Sequence, residues 1–147
     1  MSKDTVHFYK SVLRSNAYAS LNGSAIRVLN YFYMKRVMRW NKGPSGRNGH
    51  WDITNNGQIV FTRDEAKKKG FKESTFKRTV DDLINCGMID LSHQGTGLKG
   101  DCNLYAISER WKLYGTDDFV EKRRKKQLRD TKAMQDGKIK SMVKVDR

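Results

Sequence analysis

Residues Ile59–Ile107 read IVFTRDEAKKKGFKESTFKRTVDDLINCGMIDLSHQGTGLKGDCNLYAI, and the order of elements in this stretch decides the fold. Ile59–Phe61 is a short apolar run with β propensity. Thr62 supplies an N-cap hydroxyl, and Asp64 and Glu65 fall in the first turn, where carboxylates suit the positive end of a helix. Gly70 closes that helix after about two turns, in the position glycine usually takes beyond a C-cap. Ser74 is the expected N-cap of a second helix. In it Phe76, Val80, Leu83, Ile84 and Met88 recur at the spacing of one buried face. Gly87 stops this helix. Met88–Ser92 and Asn103–Ile107 then alternate as half-buried strands on either side of a polar, glycine-rich connection.

Two short-spaced helices, with the small Ala66 four residues before Gly70, match a helix-turn-helix over about residues 62–87. The hairpin that follows, about 88–107, adds a wing. The expected fold class is α+β and mostly helical: a winged helix-turn-helix domain over residues 1–120, with a long N-terminal core helix, followed by a flexible basic tail over 121–147.

Upstream, Leu21–Trp40 carries the longest helical pattern. Asn22 is its N-cap, and Ala25, Ile26, Val28, Leu29, Phe32, Tyr33, Val37 and Trp40 cover more than half of its surface. A helix so widely apolar is touched by several neighbours. Its outer edge is also a candidate homodimer contact. Before it, Phe8, Val12 and Leu13 read either as one short helical turn on the core, ended by Ser15-Asn16, or as a tucked arm. After it, Asn41–Gln58 has the composition of a long loop, with the one proline and repeated Asn-Gly steps. The leading reading of this segment is a floppy surface loop; the alternative has Trp51 and Ile53 anchor its middle to the core and Lys42 and Arg47 reach a phosphate. Downstream of the wing, Ser108 caps a short aromatic helix that Gly115 ends.

The chain has 147 residues, enough for one real core, and its hydrophobic share is 37%. The shortfall is concentrated after Glu121, where Lys and Arg cluster and large apolar side chains are scarce. Such a segment does not fold alone. Thirty basic residues against sixteen acidic ones give a net charge of +14, which favours a polyanionic partner. No apolar run approaches the ~20 residues of a membrane span, and no charged leader runs into an apolar stretch, so the expected compartment is the cytoplasm, at the nucleoid. Cys86 and Cys102 read as reduced thiols. They and the scattered His7, His50 and His93 lack metal-ligand spacing. No phosphate-binding glycine loop, nucleophile–base order or carboxylate cluster stands out, so neither an enzyme nor a cofactor is expected.

The expected partner is double-stranded DNA. The second helix of the motif enters the major groove, with Ser74, Thr75 and Arg78 at base edges and Lys72 and Lys77 on flanking phosphates. Asp81 and Asp82 further along repel phosphates, so only the first two turns insert. Arg63, Lys67 and Lys68 on the preceding helix reach the backbone, and His93, Gln94, Thr96 and Lys99 at the wing tip reach the adjacent groove. Arg123, Arg124, Lys125 and Lys126 add phosphate contacts that read no sequence. Transcriptional control, with a mobile element as one setting, is the leading role. Origin binding in replication shares the same contacts, and an RNA- or ribosome-associated factor is the alternative from another class.

The segment LNGSAIRVLNYFYMKR at Leu21–Arg36, and Phe71–Ile89 with its turn into GMI, resemble winged-helix proteins carried by bacteria and their mobile elements. The family named by this resemblance, which covers roughly residues 8–107, is the N-terminal domain of bacteriophage replication protein O. It implies a winged helix and binding to an origin of replication.

Overall fold

The structure is a computed structural model, and it describes residues 4–125. Lys126 and the rest of the expected tail lie outside the described residues. The chain is α+β, with five α-helices and two small antiparallel sheets among those residues. Two four-residue helices, α1 (Lys10–Leu13) and α2 (Asn16–Ala19), precede α3 (Gly23–Met34). A first hairpin, β1 (Met38–Asn41) and β2 (His50–Ile53), separates α3 from α4 (Arg63–Lys68) and α5 (Glu73–Asn85). A second hairpin, β3 (Ile89–His93) and β4 (Leu104–Ile107), is followed by a 3-10 turn over Arg110–Leu113.

Side-chain caps set the helix starts. Asn22 accepts from the Ala25 amide at 2.9 Å, and Thr62 accepts from the Glu65 amide at 3.2 Å. Both α4 and α5 end in the same way. Gly70 (φ +89°) donates to the Lys67 carbonyl while Phe71 donates to Ala66, and Gly87 (φ +83°) donates to Ile84 while Met88 donates to Leu83. The paired bonds satisfy carbonyls that a helix end leaves open, and the left-handed residue between them suits glycine.

The core lies between α3 and α5. Val28, Leu29 and Phe32 of α3 and Phe76, Val80, Leu83 and Ile84 of α5 are buried, joined by Ile59, Phe61, Met88 and Tyr105. Burying one such side chain contributes roughly 1.5–3 kcal/mol. Phe61 is the hub: its ring meets Phe32 at 5.3 Å and Phe76 at 4.9 Å, in edge-to-face contacts that tie α3 to α5. Thr79 is the buried polar residue of α5, and its hydroxyl donates to the Phe76 carbonyl at 2.9 Å.

Several expectations are corrected. The helical pattern over Leu21–Trp40 breaks at Met34, and Met38–Asn41 is a strand paired with His50–Ile53. The expected loop over 41–58 therefore contains a strand, and Trp51 packs on Trp40 (5.3 Å between rings) rather than anchoring in the core. Asn55 locks the base of this hairpin, accepting from the Val37 amide at 2.8 Å and donating to the Lys35 carbonyl at 2.9 Å. Ser74 is not a cap: α5 begins two residues earlier than that cap implies, at Glu73, with Lys72 in the capping position and no side-chain bond there. Of the expected strand at Ile59–Phe61 only Ile59 pairs, exchanging both backbone bonds with Tyr105.

Candidate nucleic-acid interface

α5 turns one side to the core and the other to solvent. Thr79, Val80, Leu83 and Ile84 are buried, while Lys72, Ser74, Lys77 and Arg78 are exposed and Thr75 is half-buried. This division follows from helical periodicity, since residues three and four apart share a face. Arg78 makes no hydrogen bond or ion pair with any described residue. On α4, Lys67 and Lys68 are likewise exposed. Glu65 of the same helix is drawn the other way: it pairs with Lys35 at 2.6 Å and with Lys69 at 3.9 Å. Arg63, a predicted backbone contact, is held by Glu73 at 3.0 Å, a solvent-exposed pair that a phosphate competes with readily.

The second hairpin is built more tightly than a glycine-rich turn requires. β3 and β4 are in register from Ile89↔Ile107 to Leu91↔Tyr105, with an irregularity before His93↔Leu104. Beyond them Asp101 gathers the tip. One oxygen meets His93 Nε2 at 2.7 Å, and the other accepts from the Thr96 amide at 2.9 Å and the Thr96 hydroxyl at 2.8 Å. These donors, the Thr96 amide first and His93 next, lower the Asp101 carboxyl from 3.8 to about 2. His93 and Thr96 are therefore engaged within the tip, whereas Lys99 is exposed and Leu98 projects with 73% of its surface in solvent.

The low Asp101 value predicts a pH window. A carboxyl depressed on folding holds the tip fully above its unfolded value near 3.8 and releases it as pH falls through about 2. Asp101→Asn is expected to release the tip at neutral pH. Amide exchange at Thr96 checks this, and unchanged protection in the variant would show that the clasp does not order the loop.

The start of the expected tail is not free. Residues 120–125 run back over the domain as a strap. The Val120 carbonyl accepts from Arg110 at 2.8 Å, Lys122 meets Asp90 at 3.5 Å, and Lys125 and Gln94 exchange two hydrogen bonds of 3.0 and 2.8 Å. Between them Arg124 donates to Asp81 at 2.5 Å and to the Lys77 carbonyl at 3.2 Å. Arg124 and Gln94, both expected at DNA, are thus turned inward, while Arg123 and Lys125 are exposed. Asp81 does not stand as a bare negative charge on α5, because Arg124 neutralises it. The strap follows the edge of α5 that faces the hairpin, where a groove of about 300 Å³ opens over Phe61, Phe76, Val80 and Tyr105. Ser74 and Arg78 remain uncovered.

Arg110 holds the strap's root. Its guanidinium donates to Asp90 at 2.7 Å, to the Ile84 carbonyl at 2.7 Å and to Val120. Sequence reading missed this residue and the Arg124–Asp81 pair, which spans 43 residues, because no local pattern announces so distant a partner. Leu98 was missed too; a leucine amid glycines and polar residues was the available signal.

Among the described residues no three His, Cys, Asp or Glu side chains converge on one point, and no helix is long and apolar enough to cross a membrane. No protein-family model, curated protein or solved structure matches the chain.

Proposed function

We propose that the chain binds double-stranded DNA sequence-specifically, as a winged helix-turn-helix protein acting in transcriptional control. The observation that supports this most strongly is the outward row of α5, where Ser74, Lys77 and Arg78 stand exposed on a helix whose other side is fixed in the core. A major groove admits a helix, and one anchored along its inner face presents its outer row with little rearrangement. In this reading α4–turn–α5 is the helix-turn-helix and β3–β4 the wing.

The contacts divide by chemistry. Arg78, whose guanidinium has no partner among the described residues, is the base-reading residue, through the paired acceptors O6 and N7 of guanine. Ser74 and Thr75 flank it at the helix start. Lys67, Lys68, Lys72 and Lys77 meet phosphates, which fix register without reading sequence. Arg63 joins them by exchanging Glu73 for a phosphate. At the wing, Lys99 meets the backbone and Leu98 is shaped for an apolar contact in the minor groove, a use of leucine that bent duplexes favour. The net charge of +14 supplies the attraction that brings a duplex to this face.

Selection of bound fragments from random DNA tests the reading. A single motif should emerge, and Arg78→Ala should weaken binding to it about tenfold while relaxing one base position. Equal losses on all sequences would make Arg78 a phosphate contact. Failure to enrich any motif would overturn sequence-specific binding.

A further inference from the structure

We infer that the first hairpin, β1–β2, is a second nucleic-acid site, separate from α5, that takes unpaired bases of single-stranded DNA on Trp40 and Trp51. The strand register puts Met38, Trp40, Trp51 and Ile53 on one face and Arg39, Asn41, His50 and Asp52 on the other. None of the four apolar residues belongs to the core or to the partly buried side chains that pack on it. Trp40 keeps 46% of its surface in solvent. An exposed indole backed by a half-buried one, on a two-stranded ribbon outside the core, is an apolar surface that suits a ligand.

The indoles are held in place. Trp51 meets Trp40 edge-on, at 62° and 5.3 Å between centroids. Beneath Trp40 lies Gly49, so close that a Cβ there would stand 2.3 Å from the ring. Backbone support below and an indole edge alongside leave Trp40 as a fixed, half-open aromatic surface. The ribbon is anchored at its base by Asn55 and by Thr54, whose amide donates to the Val37 carbonyl at 2.8 Å.

Charge selects the occupant. Over residues 38–53 the chain carries Arg39, Lys42 and Arg47 against Asp52 alone, a net of +2. Asp52 is already engaged by His50 at 3.0 Å and Asn41 at 3.1 Å. A second copy would bring the same positive ribbon against this one. The chain beyond Lys125, with seven Lys and Arg against three Asp, would repel it as well. Aromatic rings interleaved with cations suit a strand whose bases are unstacked, since every base has a face to offer an indole and every nucleotide a phosphate for a cation. The choice of DNA over RNA rests on the reading of α5 as a duplex DNA reader; the hairpin geometry does not.

The test is fluorescence anisotropy of the full chain with three labelled probes: an oligothymidylate of about 12 nucleotides, the matching oligouridylate, and the duplex motif selected above. The wild type should bind the oligothymidylate, and Trp40→Ala should weaken that about tenfold while leaving duplex binding unchanged. Trp40→Phe, which keeps a ring, should recover most of the loss. Gly49→Ala, which displaces the ring without removing it, should imitate Trp40→Ala. Lys42→Glu combined with Arg47→Glu should flatten the salt slope by about 1.4, two phosphates at roughly 0.7 each for a single strand. Equal single-strand affinity in the wild type and Trp40→Ala, no binding of oligothymidylate by the folded wild type, or tighter binding of oligouridylate would each overturn the proposal. Arg78→Ala separates the two sites. If it binds duplex as the wild type does, the α5 reading fails and the hairpin site stands on its own measurements.

Discussion

Gly87→Ala is expected to lower the free energy of unfolding by about 3 kcal/mol, whereas Gly70→Ala should cost about 1 kcal/mol. Both glycines close a helix in the left-handed region, at φ +83° and +89°. Any side chain there carries a backbone penalty of roughly 1–2 kcal/mol. The difference lies in what surrounds them. A Cβ at Gly70 meets nothing within 4 Å, but one at Gly87 would stand 2.7 Å from the Trp111 amide nitrogen and 2.8 Å from the Arg110 carbonyl carbon. Backbone does not swing aside as a flexible side chain would. Trp111 also donates to the Gly87 carbonyl at 3.1 Å, so displacing that turn loses a hydrogen bond as well. Urea unfolding of the two variants checks the prediction. Equal losses would mean that the chain after β4 is not seated against the end of α5.

Arg110→Ala should destabilise the fold by a similar amount, about 3 kcal/mol, because it removes the largely buried cation of a part-buried ion pair together with its hydrogen bonds to two carbonyls. The side chain is only 13% exposed, against 23% for its partner Asp90, so solvent compensates little. Its removal strips donors from Asp90, from the Ile84 carbonyl at the end of α5 and from the Val120 carbonyl at once. Arg110→Lys should recover less than half, since one ammonium does not span three acceptors in a planar fork. The same substitution should free the strap, so trypsin should cut sooner at Lys122 and Arg123. A variant that melts within about 1 °C of the wild type, with unchanged cleavage, would show that the guanidinium is not the tie described.

What the sequence made legible was local. Asn22 and Thr62 as caps, Gly70 and Gly87 as stops, and the buried row Phe76–Val80–Leu83–Ile84 all follow from interactions within a few residues. The errors have equally physical origins. Val37 and Trp40 continue the three-and-four spacing of α3, so periodicity alone does not find the break at Met34. The strand that follows exists only because His50–Ile53 returns to pair with it, and its Asn and Gly residues read locally as loop. Those asparagines are structural: Asn56 bonds both the amide and the carbonyl of Ile107, an exposed backbone position on β4. The start of α5 was misplaced by two residues because Ser74 looked like a cap, while the turn through Gly70 and the burial of Phe71 begin the helix without one. In the candidate site, the exposure of Ser74, Lys77 and Arg78 was readable from the opposite face's apolar spacing. The inward turn of Arg124 was not.

Three carboxylates of α4 and α5 share one arrangement: Glu65 answers Lys35, Glu73 answers Arg63, and Asp81 answers Arg124. The molecule thus carries its own internal counterions, and they are matched to cations other than the ones left standing outward. Lys67, Lys68, Lys72 and Arg78 have no described partner to surrender. In the proposed reading, an arriving polyanion meets those four without first dissolving an ion pair to a described residue, whereas at Arg63 one acid is traded for another.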